Sequence, residues 1–338
     1  MYEPEFFDST PFEAQVLPYV DRQGRDARLV VAKASFSVVP TAALTLLDEQ
    51  RPIRLGNEPW DDPEVSDNRF PSDLCEYKPG TDVLIVGHAV APFDRLSSCL
   101  EVAARIADRM LMLRAHGPRY WEGFGPRLGP AAPTRAVALR WGLAFGGIDL
   151  SDPSRPLEHA QNPVGLGIAR DASALLGKPG PQIEDPAAPL SAPNRGKAVG
   201  VGPLGVNFSP RRGYAGTYNE TWLRRLHPAK PPDYDPRFEN VAPAPLFFER
   251  PLRGLEPCIV QGVRKDGKGL AFELPRERVR VEWVIDGKRE GVDPHLDTVI
   301  IDTDAAVLEM VWRACIPTPA KLRNRFTEIH LWRKQVAA

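Results

Sequence analysis

Few side chains in this sequence have the types and spacing that catalysis or metal binding requires. The six histidines are His88, His116, His159, His227, His295 and His330. None of them stands four residues from another and none lies beside a cysteine, so no local motif has the usual spacing of zinc ligands. A zinc site built from residues distant in the chain stays open, but we expect neither a metal nor a cofactor.

One glycine motif resembles a nucleotide-binding loop by its letters alone. Gly200, Gly202 and Gly205 match the GxGxxG pattern, which needs a strand before it and a helix after it. Here Pro203 removes a backbone donor inside the motif, and the following VNFSPRR is not helical. The chain also lacks a G-x-S-x-G elbow, so serine hydrolase chemistry has no local support.

Two pairs of adjacent acids could supply the two carboxylates of a glycosidase. These are Asp61-Asp62 and Glu184-Asp185, and each pair precedes a proline, where acids commonly cap turns. A carbohydrate-active enzyme or a sugar-binding β protein is therefore an alternative reading. It predicts a cleft that holds two carboxylates roughly 5–9.5 Å apart. The sequence favours a protein that is not an enzyme.

The segment 214–245 combines large aromatic rings with closely spaced prolines and carries no obvious catalytic group. Tyr218, Trp222 and Leu223 have the spacing of one short amphipathic helix. The prolines that follow prevent a longer helix, because proline lacks a backbone donor and clashes with the preceding turn. Such a rigid, ring-rich segment is typical of chain that lies over a surface. Its rings could face either the core or a partner.

Arg211 and Arg212 come directly before this segment. Paired arginines can clamp a carboxylate of a partner protein. The alternative is a structural ion pair with an acid of the segment itself, namely Asp233, Asp235 or Glu239. The sequence favours the structural pair.

Alternating apolar and polar residues predict β-strands at both ends of the chain. Residues 28–39 and 135–143 each read as a strand, residues 83–93 as one buried strand, and residues 99–115 as a hairpin. Asp266-Gly267 and Asp286-Gly287 each stand between strand-like runs and fit hairpin turns. TVIIDTD and AVLEMVWRACI predict a further antiparallel pair. No β-α-β rhythm appears, which argues against a parallel α/β sheet.

These elements predict a mainly β fold with antiparallel, sandwich-like sheets. The sheets are expected in an N-terminal part (1–150) and a C-terminal part (251–338). Prolines are dense in residues 151–250, which we expect to form an irregular connecting belt, rich in proline and glycine, with one or two short helices. One continuous domain over residues 10–315 is the alternative division.

Composition narrows the expected partners. A net charge of -1 gives no reason for attraction to nucleic acid, and no apolar run approaches the roughly 20 residues of a membrane span. The start MYEPEFFDST lacks a basic region, so we expect no signal peptide, and the four cysteines form no C-x-x-C pair. A cytoplasmic protein is the expectation. An acidic stretch (48–76) and a basic stretch (321–334) read as solvated surfaces or as partner-steering patches.

Six motifs in order resemble a bacterial domain-of-unknown-function family found in type VI secretion gene clusters. They are KPGTDVLIVGHA (78–89), AFGG (144–147), NPVGLG (162–167), IEDP (183–186), YAGTYNETWL (214–223) and DYDPRF (233–238). LDTVIIDTD and VWRA near the C-terminus also resemble that family, so the resemblance covers about residues 10–315.

The resemblance implies a cytoplasmic adaptor or chaperone that binds a toxic effector and helps load it onto the secretion spike. It implies no catalytic residues. A structural component of the spike itself is a further alternative, and the oligomeric state stays open. The candidates for protein binding or family motifs are Lys78, Asp82, Arg211, Arg212, Tyr214, Thr217, Tyr218, Trp222, Tyr234, Asp235, Arg237 and Phe238.

Overall fold

A computed structural model describes residues 3–39, 43–62, 66–318 and 320–334 of the chain. The strands in these residues are, in chain order, β1 Glu5–Ser9, β2 Glu13–Val20, β3 Asp26–Ser37, β4 Thr45–Leu46, β5 Glu58–Pro59, β6 Asn68–Phe70, β7 Thr81–Val86, β8 His88–Val90, β9 Cys99–Ile106, β10 Arg109–His116, β11 Trp121–Glu122, β12 Arg127–Leu128, β13 Ala136–Ala138, β14 Phe145–Gly146, β15 Ile148–Asp149, β16 Leu157–Glu158, β17 Leu166–Gly167, β18 Ile183–Glu184, β19 Phe247–Phe248, β20 Pro257–Gln261, β21 Leu270–Glu273, β22 Val279–Ile285, β23 Lys288–Val292, β24 Leu296–Asp302, β25 Val307–Pro317 and β26 Phe326–Arg333.

Helices are short and few in the described ranges. The α-helix there is α1, Glu220–Arg225, which lies inside the predicted belt. The 3-10 helices are Pro92–Asp94, Trp141–Leu143, Ala172–Leu175, Arg211–Tyr214, Pro236–Glu239, Ala244–Leu246 and Ala320–Arg325. The fold is therefore mainly β, as the sequence predicts.

Three sheets carry the fold. A seven-stranded sheet has the order β19-β7-β24-β25-β3-β2, with β4 also paired to β3. A five-stranded sheet has the order β18-β10-β9-β20-β21, and a four-stranded sheet has the order β1-β26-β22-β23. Most neighbours are antiparallel, but β7 runs parallel to β24 and β1 runs parallel to β26.

Each large sheet joins strands from both ends of the chain. β3 pairs with β25 from Ala27↔Pro317 to Ser37↔Val307, and β9 pairs with β20. Apolar residues of all three sheets belong to one continuous core. The strands of residues 1–150 and those of residues 251–338 therefore complete the same sheets.

Several local predictions are confirmed and three are corrected. The predicted strand over residues 135–143 is a strand only at β13, Ala136–Ala138, and ends in the 3-10 helix Trp141–Leu143. The hairpin over residues 99–115 is β9–β10, and Asp286-Gly287 joins β22 to β23 in a two-residue turn. Asp266-Gly267 lies instead in a longer connection between β20 and β21. The predicted single strand over residues 83–93 is two strands, because Gly87 adopts a φ of 136° and turns the chain from β7 into β8.

Both faces of the seven-stranded sheet are buried. Ala32, Ala34 and Phe36 of β3 face the main core, while Lys33 and Ser35 between them are also fully buried. Residues 50–54 and Asp73 cover this second face. The Gln50 amide exchanges hydrogen bonds with the Ser35 backbone, and the Lys33 ammonium donates to the Pro52 carbonyl at 2.9 Å.

A charged layer lies under that cover and neutralises itself. Lys33 pairs with Asp73, and the Arg54 guanidinium donates to both carboxylate oxygens of Glu309 at 2.5 and 2.8 Å. Arg313 pairs with Asp297. Three cations thus meet three anions, which removes the large cost of burying unpaired charge.

Candidate functional site

The segment 214–245, hereafter the signature segment, folds into a compact loop beside the β2–β3 turn. The Lys230 amide donates to the Arg22 carbonyl at 2.9 Å, and an added Cβ on Gly24 would lie 2.8 Å from the Ala229 nitrogen. Inside the segment, Thr217 donates to Asp233 through its amide at 2.9 Å and through its hydroxyl at 2.7 Å. These bonds fix the two ends of the loop that carries α1.

The helix α1 is capped, and its tryptophan packs against the loop that follows it. The Asn219 side chain accepts from the Trp222 amide at 2.9 Å, which supplies a partner for one free helix donor. The Trp222 indole donates to the Ala229 carbonyl at 2.8 Å and makes edge contacts with Tyr218 and His227. Trp222 is therefore a half-buried brace of its own loop.

Other apolar side chains of α1 and its flanks face outward. Tyr218 keeps 50% of its surface exposed and Leu223 keeps 60%, and Leu226 is exposed as well. These three residues, with the outer edge of Trp222, form what we term the helix patch. The signature segment thus has one ring, Trp222, that braces the loop and one ring, Tyr218, that is half exposed.

The second half of the signature segment packs around Arg211. The Arg211 guanidinium donates to the Phe238 carbonyl at 2.8 Å and the Leu204 carbonyl at 2.5 Å, and it lies 5.0 Å from the centre of the Phe238 ring. Burial lowers the pKa of Arg211. Arg212 donates to both Glu158 oxygens at 2.8 and 2.9 Å. Both arginines are structural, but with backbone carbonyls and Glu158 rather than the predicted Asp233, Asp235 or Glu239.

Asp235, Arg237 and Tyr214 form a small stacked unit. Asp235 caps the 3-10 helix Pro236–Glu239 by accepting from the Arg237 amide at 2.9 Å. The Arg237 guanidinium bonds the same carboxylate and lies 4.3 Å from the centre of the Tyr214 ring. The Asp235 amide donates back to the Tyr214 carbonyl at 3.0 Å. The three motif residues therefore bind one another within the fold.

Lys78 and Asp82 form a buried ion pair. The Lys78 ammonium donates to Asp82 at 2.7 Å and to the Thr298 hydroxyl at 3.0 Å. The Asp82 carboxylate also accepts from the Val241 amide at 2.9 Å and the Ala242 amide at 3.2 Å. This pair connects β7 to the end of the signature segment, and it is not available to a partner.

A cleft of about 470 Å³ opens where the signature segment meets the seven- and four-stranded sheets. Its walls include the rings of Tyr77, Tyr234 and Trp283, and Val292 stands at the end of β23. The residues that line it are Arg22, Glu76, Tyr77, Lys78, Tyr234, Pro236, Trp283, Val292, Asp293, Pro294, His295, Asp297, Arg313, Ala314 and Cys315. Of the twelve candidates, only Lys78 and Tyr234 line this cleft.

The buried charges of the cleft are paired, and two polar atoms of its lining, His295 Nε2 and Arg313 Nη2, make no hydrogen bond among the described residues. Lys78 and Arg313 at its floor are paired with Asp82 and Asp297. The Tyr234 hydroxyl donates to Glu239 at 2.6 Å, and burial raises the tyrosine pKa above its usual range, with a further increase from the Glu239 charge. His295 Nε2 is buried with no hydrogen-bond partner among the described residues. The cleft therefore suits an uncharged, largely apolar group.

Sequence reasoning did not find Tyr77, Trp283 or His295. Trp283 could have been placed from the alternation along VRVEWVI, which puts it on the core side of β22. Tyr77 and His295 carry no local signal, because only the tertiary fold brings them into edge contact, with ring centres 5.7 Å apart.

The remaining candidate chemical groups have structural partners. Glu184 is buried, which would raise its pKa, but hydrogen bonds from His116, Arg119 and the Leu190 amide outweigh burial and hold its pKa at about 2. A carboxyl group with that pKa is ionised at neutral pH and cannot act as a general acid. Burial raises the pKa of Cys75 and Cys258 to about 12, so their thiolate forms are scarce.

Within the described ranges, the glycine motif packs against Trp141, and no cluster of side chains is arranged to bind a metal ion. The Trp141 indole donates to the Gly202 carbonyl at 2.9 Å, and Gly200 packs on the same ring. No strand precedes this motif and no helix opens directly after it. Among the residues described, no group of three or more His, Cys, Asp and Glu side chains is arranged to hold a metal ion.

Four of the five basic residues in the stretch 321–334 form ion pairs within the chain. Arg323 pairs with Asp26, Arg325 with Asp286 at 2.7 Å, Arg333 with Glu277 at 2.5 Å, and Lys334 with Asp293 at 2.6 Å. Such pairing leaves little net charge for steering a partner. None of the helices in the described residues has the length and apolar character that crossing a membrane requires.

Comparison with known proteins gives one match. A family model described as "Uncharacterized protein conserved in bacteria (DUF2169)" matches residues 23–313. The match contains β3, the cover of the charged layer, the signature segment and most of β25. Searches of the curated proteins and of the solved structures found no match.

Proposed function

Since the chain belongs to the DUF2169 family of bacterial proteins, we propose that it is a cytoplasmic adaptor. It binds a type VI secretion effector and helps load it onto the secretion spike. The resemblance of its ordered motifs to proteins encoded in type VI gene clusters supplies the biological setting. The helix patch and the cleft are the surfaces that we propose for binding the effector.

The helix patch is the observation that carries the proposal. Tyr218 and Leu223 leave half or more of their surface exposed, whereas Trp222 of the same segment is half-buried. An adaptor for an aggregation-prone effector needs such an apolar surface on a rigid support. The support is present, because Asn219 caps the helix, Thr217 ties its entry to Asp233, and Trp222 braces its exit.

The cleft extends this surface. The Lys230 amide bonds the carbonyl of Arg22, a cleft residue, so the loop of α1 and the cleft wall are fixed to each other. Tyr77 and Val292 of the cleft expose apolar surface as the helix patch does, and Arg22 and Arg224 are paired with Glu76 and Glu220. A client would therefore be held by apolar contact more than by ion pairs, and salt should weaken the complex little.

The test is co-purification of tagged variants with an effector, sought first among the products of the neighbouring genes. Tyr218→Ala and Leu223→Ala should each weaken binding roughly 10- to 100-fold, the value of one buried apolar side chain. Leu223→Ala should leave the melting temperature unchanged, and Tyr218→Ala should lower it only slightly, because it loses one edge contact with Trp222. Leu150→Ala is the matched control, because Leu150 is 58% exposed and lies outside the helix patch. It should bind as the wild type does.

Trp222→Ala separates binding from bracing. This variant loses the indole bond to Ala229 and the ring contacts, so it should lower the melting temperature as well as binding. Full binding by both Tyr218→Ala and Leu223→Ala would remove the helix patch as the client surface. Detection of the protein outside the cell together with the spike would favour a spike component over an adaptor.

A further inference from the structure

The cleft beside the signature segment is lined by hydrogen-bonding groups that have no partner in the fold. Arg313 is buried, and its Nη2 lies 3.6 Å from Asp73, beyond hydrogen-bond range, and makes no hydrogen bond among the described residues. His295 Nε2 is buried and unpartnered in the same way. A buried polar atom without a partner costs free energy, so these two atoms indicate a ligand that supplies the missing bonds.

Most of the free groups in the cleft lining are donors. The Trp283 indole and the Tyr77 hydroxyl also make no hydrogen bond among the described residues. A guanidinium and an indole only donate, whereas a tyrosine hydroxyl and a histidine nitrogen can do either. The carboxylates of the lining are already occupied by cations or amides of the chain; they are Glu76, Asp293 and Asp297. A complementary ligand therefore offers acceptors and few donors.

The rest of the lining is made of rings. Tyr77, Tyr234 and Trp283 line the cleft together with Pro236 and Pro294. Tyr77 leaves 50% of its surface exposed, so a ligand can reach its ring. The volume of about 470 Å³ falls within the range of roughly 300–1,000 Å³ that is usual for ligand sites. Because the charges of the lining are paired, the ligand that fits is uncharged and packs against rings.

We propose that the cleft binds a proline-rich segment of the effector in the extended polyproline II conformation. The carbonyl groups of such a segment make no internal hydrogen bonds, and its prolines have no N–H that needs a partner. Its pyrrolidine rings pack on aromatic side chains, as they do in other aromatic-lined grooves that bind proline-rich chains. The segment is therefore uncharged, apolar and rich in acceptors, which matches the free donors and the rings of the cleft.

A neutral sugar fits the same lining less well. It would also stack on the rings, but each of its hydroxyl groups brings a donor as well as acceptors. Since the carboxylates of the cleft are already paired, those donors would find few partners. The chemistry of the peptide is argued from the cleft alone, whereas the effector as its source rests on the proposed function.

The first experiment titrates the full chain, labelled with nitrogen-15, with a decaproline peptide whose two ends are blocked. This probe is uncharged and adopts the polyproline II conformation. It should shift the indole N–H signal of Trp283 in a saturable way; that signal is assigned by its loss in Trp283→Phe. A blocked glycine-serine peptide of equal length, which is flexible, should cause no saturable shift. No shift with decaproline, or a saturable shift with cellotetraose in its place, would overturn the proposal.

The second experiment measures decaproline affinity by calorimetry. Tyr77→Ala should weaken binding roughly 10-fold through the loss of one ring contact, and Trp283→Phe roughly 5-fold through the loss of one donor. Tyr120→Ala is the matched control, because Tyr120 is 48% exposed and does not line the cleft. It should bind as the wild type does. Equal affinity of Tyr77→Ala, Trp283→Phe and the wild type would overturn the site.

Co-purification with the effector distinguishes this inference from the adaptor function. Tyr77→Ala should weaken effector binding, and excess decaproline should compete with the effector. If decaproline binds the cleft but Tyr77→Ala holds the effector as the wild type does, the effector is not the source of the peptide. If the effector binds through the helix patch and decaproline does not bind at all, the adaptor function stands and the peptide site is wrong.

Discussion

Asp82 is a single residue on which two distant parts of the chain depend. Its carboxylate accepts hydrogen bonds from the Lys78 ammonium, from the Asn240 amide at 3.2 Å and from the amides of Val241 and Ala242. Four donors therefore converge on one buried anion. Asp82 of the motif 78–89 thus holds residues 240–242 of the signature segment against β7.

Asp82→Asn should destabilise the fold by about 3–5 kcal/mol, because it leaves Lys78 charged and unpaired in the interior. Urea unfolding at neutral pH measures the loss. Asp235→Asn is the control: its carboxylate pairs with Arg237 near the surface, and asparagine keeps the helix cap, so the loss should stay below about 1 kcal/mol. Similar losses for the two variants would contradict the hub role of Asp82.

At the scale of elements, Gly87 ends β7 and turns the chain into β8, which pairs with β13. Its φ of 136° is unfavourable for other residues, and an added Cβ would lie 2.1 Å from the Thr303 hydroxyl oxygen. Thr303 is itself fixed, since its hydroxyl donates to the Val86 carbonyl at 3.1 Å. Neither Gly87 nor Thr303 can move without disrupting the pairing of β7 with β24.

Gly87→Ala should therefore lower the free energy of unfolding by about 3–5 kcal/mol, from backbone strain together with overpacking. Gly56→Ala is the matched control, because Gly56 has an ordinary φ and nothing described within 4 Å of an added Cβ. It should change stability by less than about 0.5 kcal/mol. Thermal and urea unfolding of the two variants check this, and a stable Gly87→Ala protein would refute the steric argument.

Elements with local signals were predictable, and those set by distant contacts were not. The β9–β10 hairpin and the short helix in the signature segment follow from alternation, spacing and proline. The break at Gly87 was missed, because the apolar run continues across it and only its φ reveals the turn. In the candidate site, Tyr234 was within reach of the sequence, whereas His295 joins the cleft through the tertiary fold alone.

The burial of Lys33 shows the same limit. A lysine alternating with alanines reads as the polar face of a strand, yet Pro52 and Asp73 contact its ammonium group and the side chain is completely buried. Its partners come from two other regions, Asp73 and, at 3.5 Å, Glu309 on β25. No local pattern relates these three positions, so the charged layer could not be read from the chain.

At the scale of the molecule, the two ends of the chain are interdependent. β25 lies between β24 and β3, and β24 lies between β25 and β7. Removing residues 251–338 would expose the edges of β3 and β7 along their whole lengths and leave Lys33 and Arg54 without Glu309. Open, apolar strand edges of this kind promote aggregation.

We therefore expect residues 1–250 and residues 251–338 to be unfolded or aggregated when each is produced alone, and to form a folded complex when co-expressed. Circular dichroism and amide proton dispersion measure folding, and co-purification of a tagged half measures assembly. The intact chain, cut at an engineered protease site after residue 250, serves as the control for the break itself. A fragment that lacks β24 and β25 should be unable to bury both faces of β3. A cooperative unfolding transition of residues 1–150 alone would therefore contradict this prediction and establish an independent N-terminal domain.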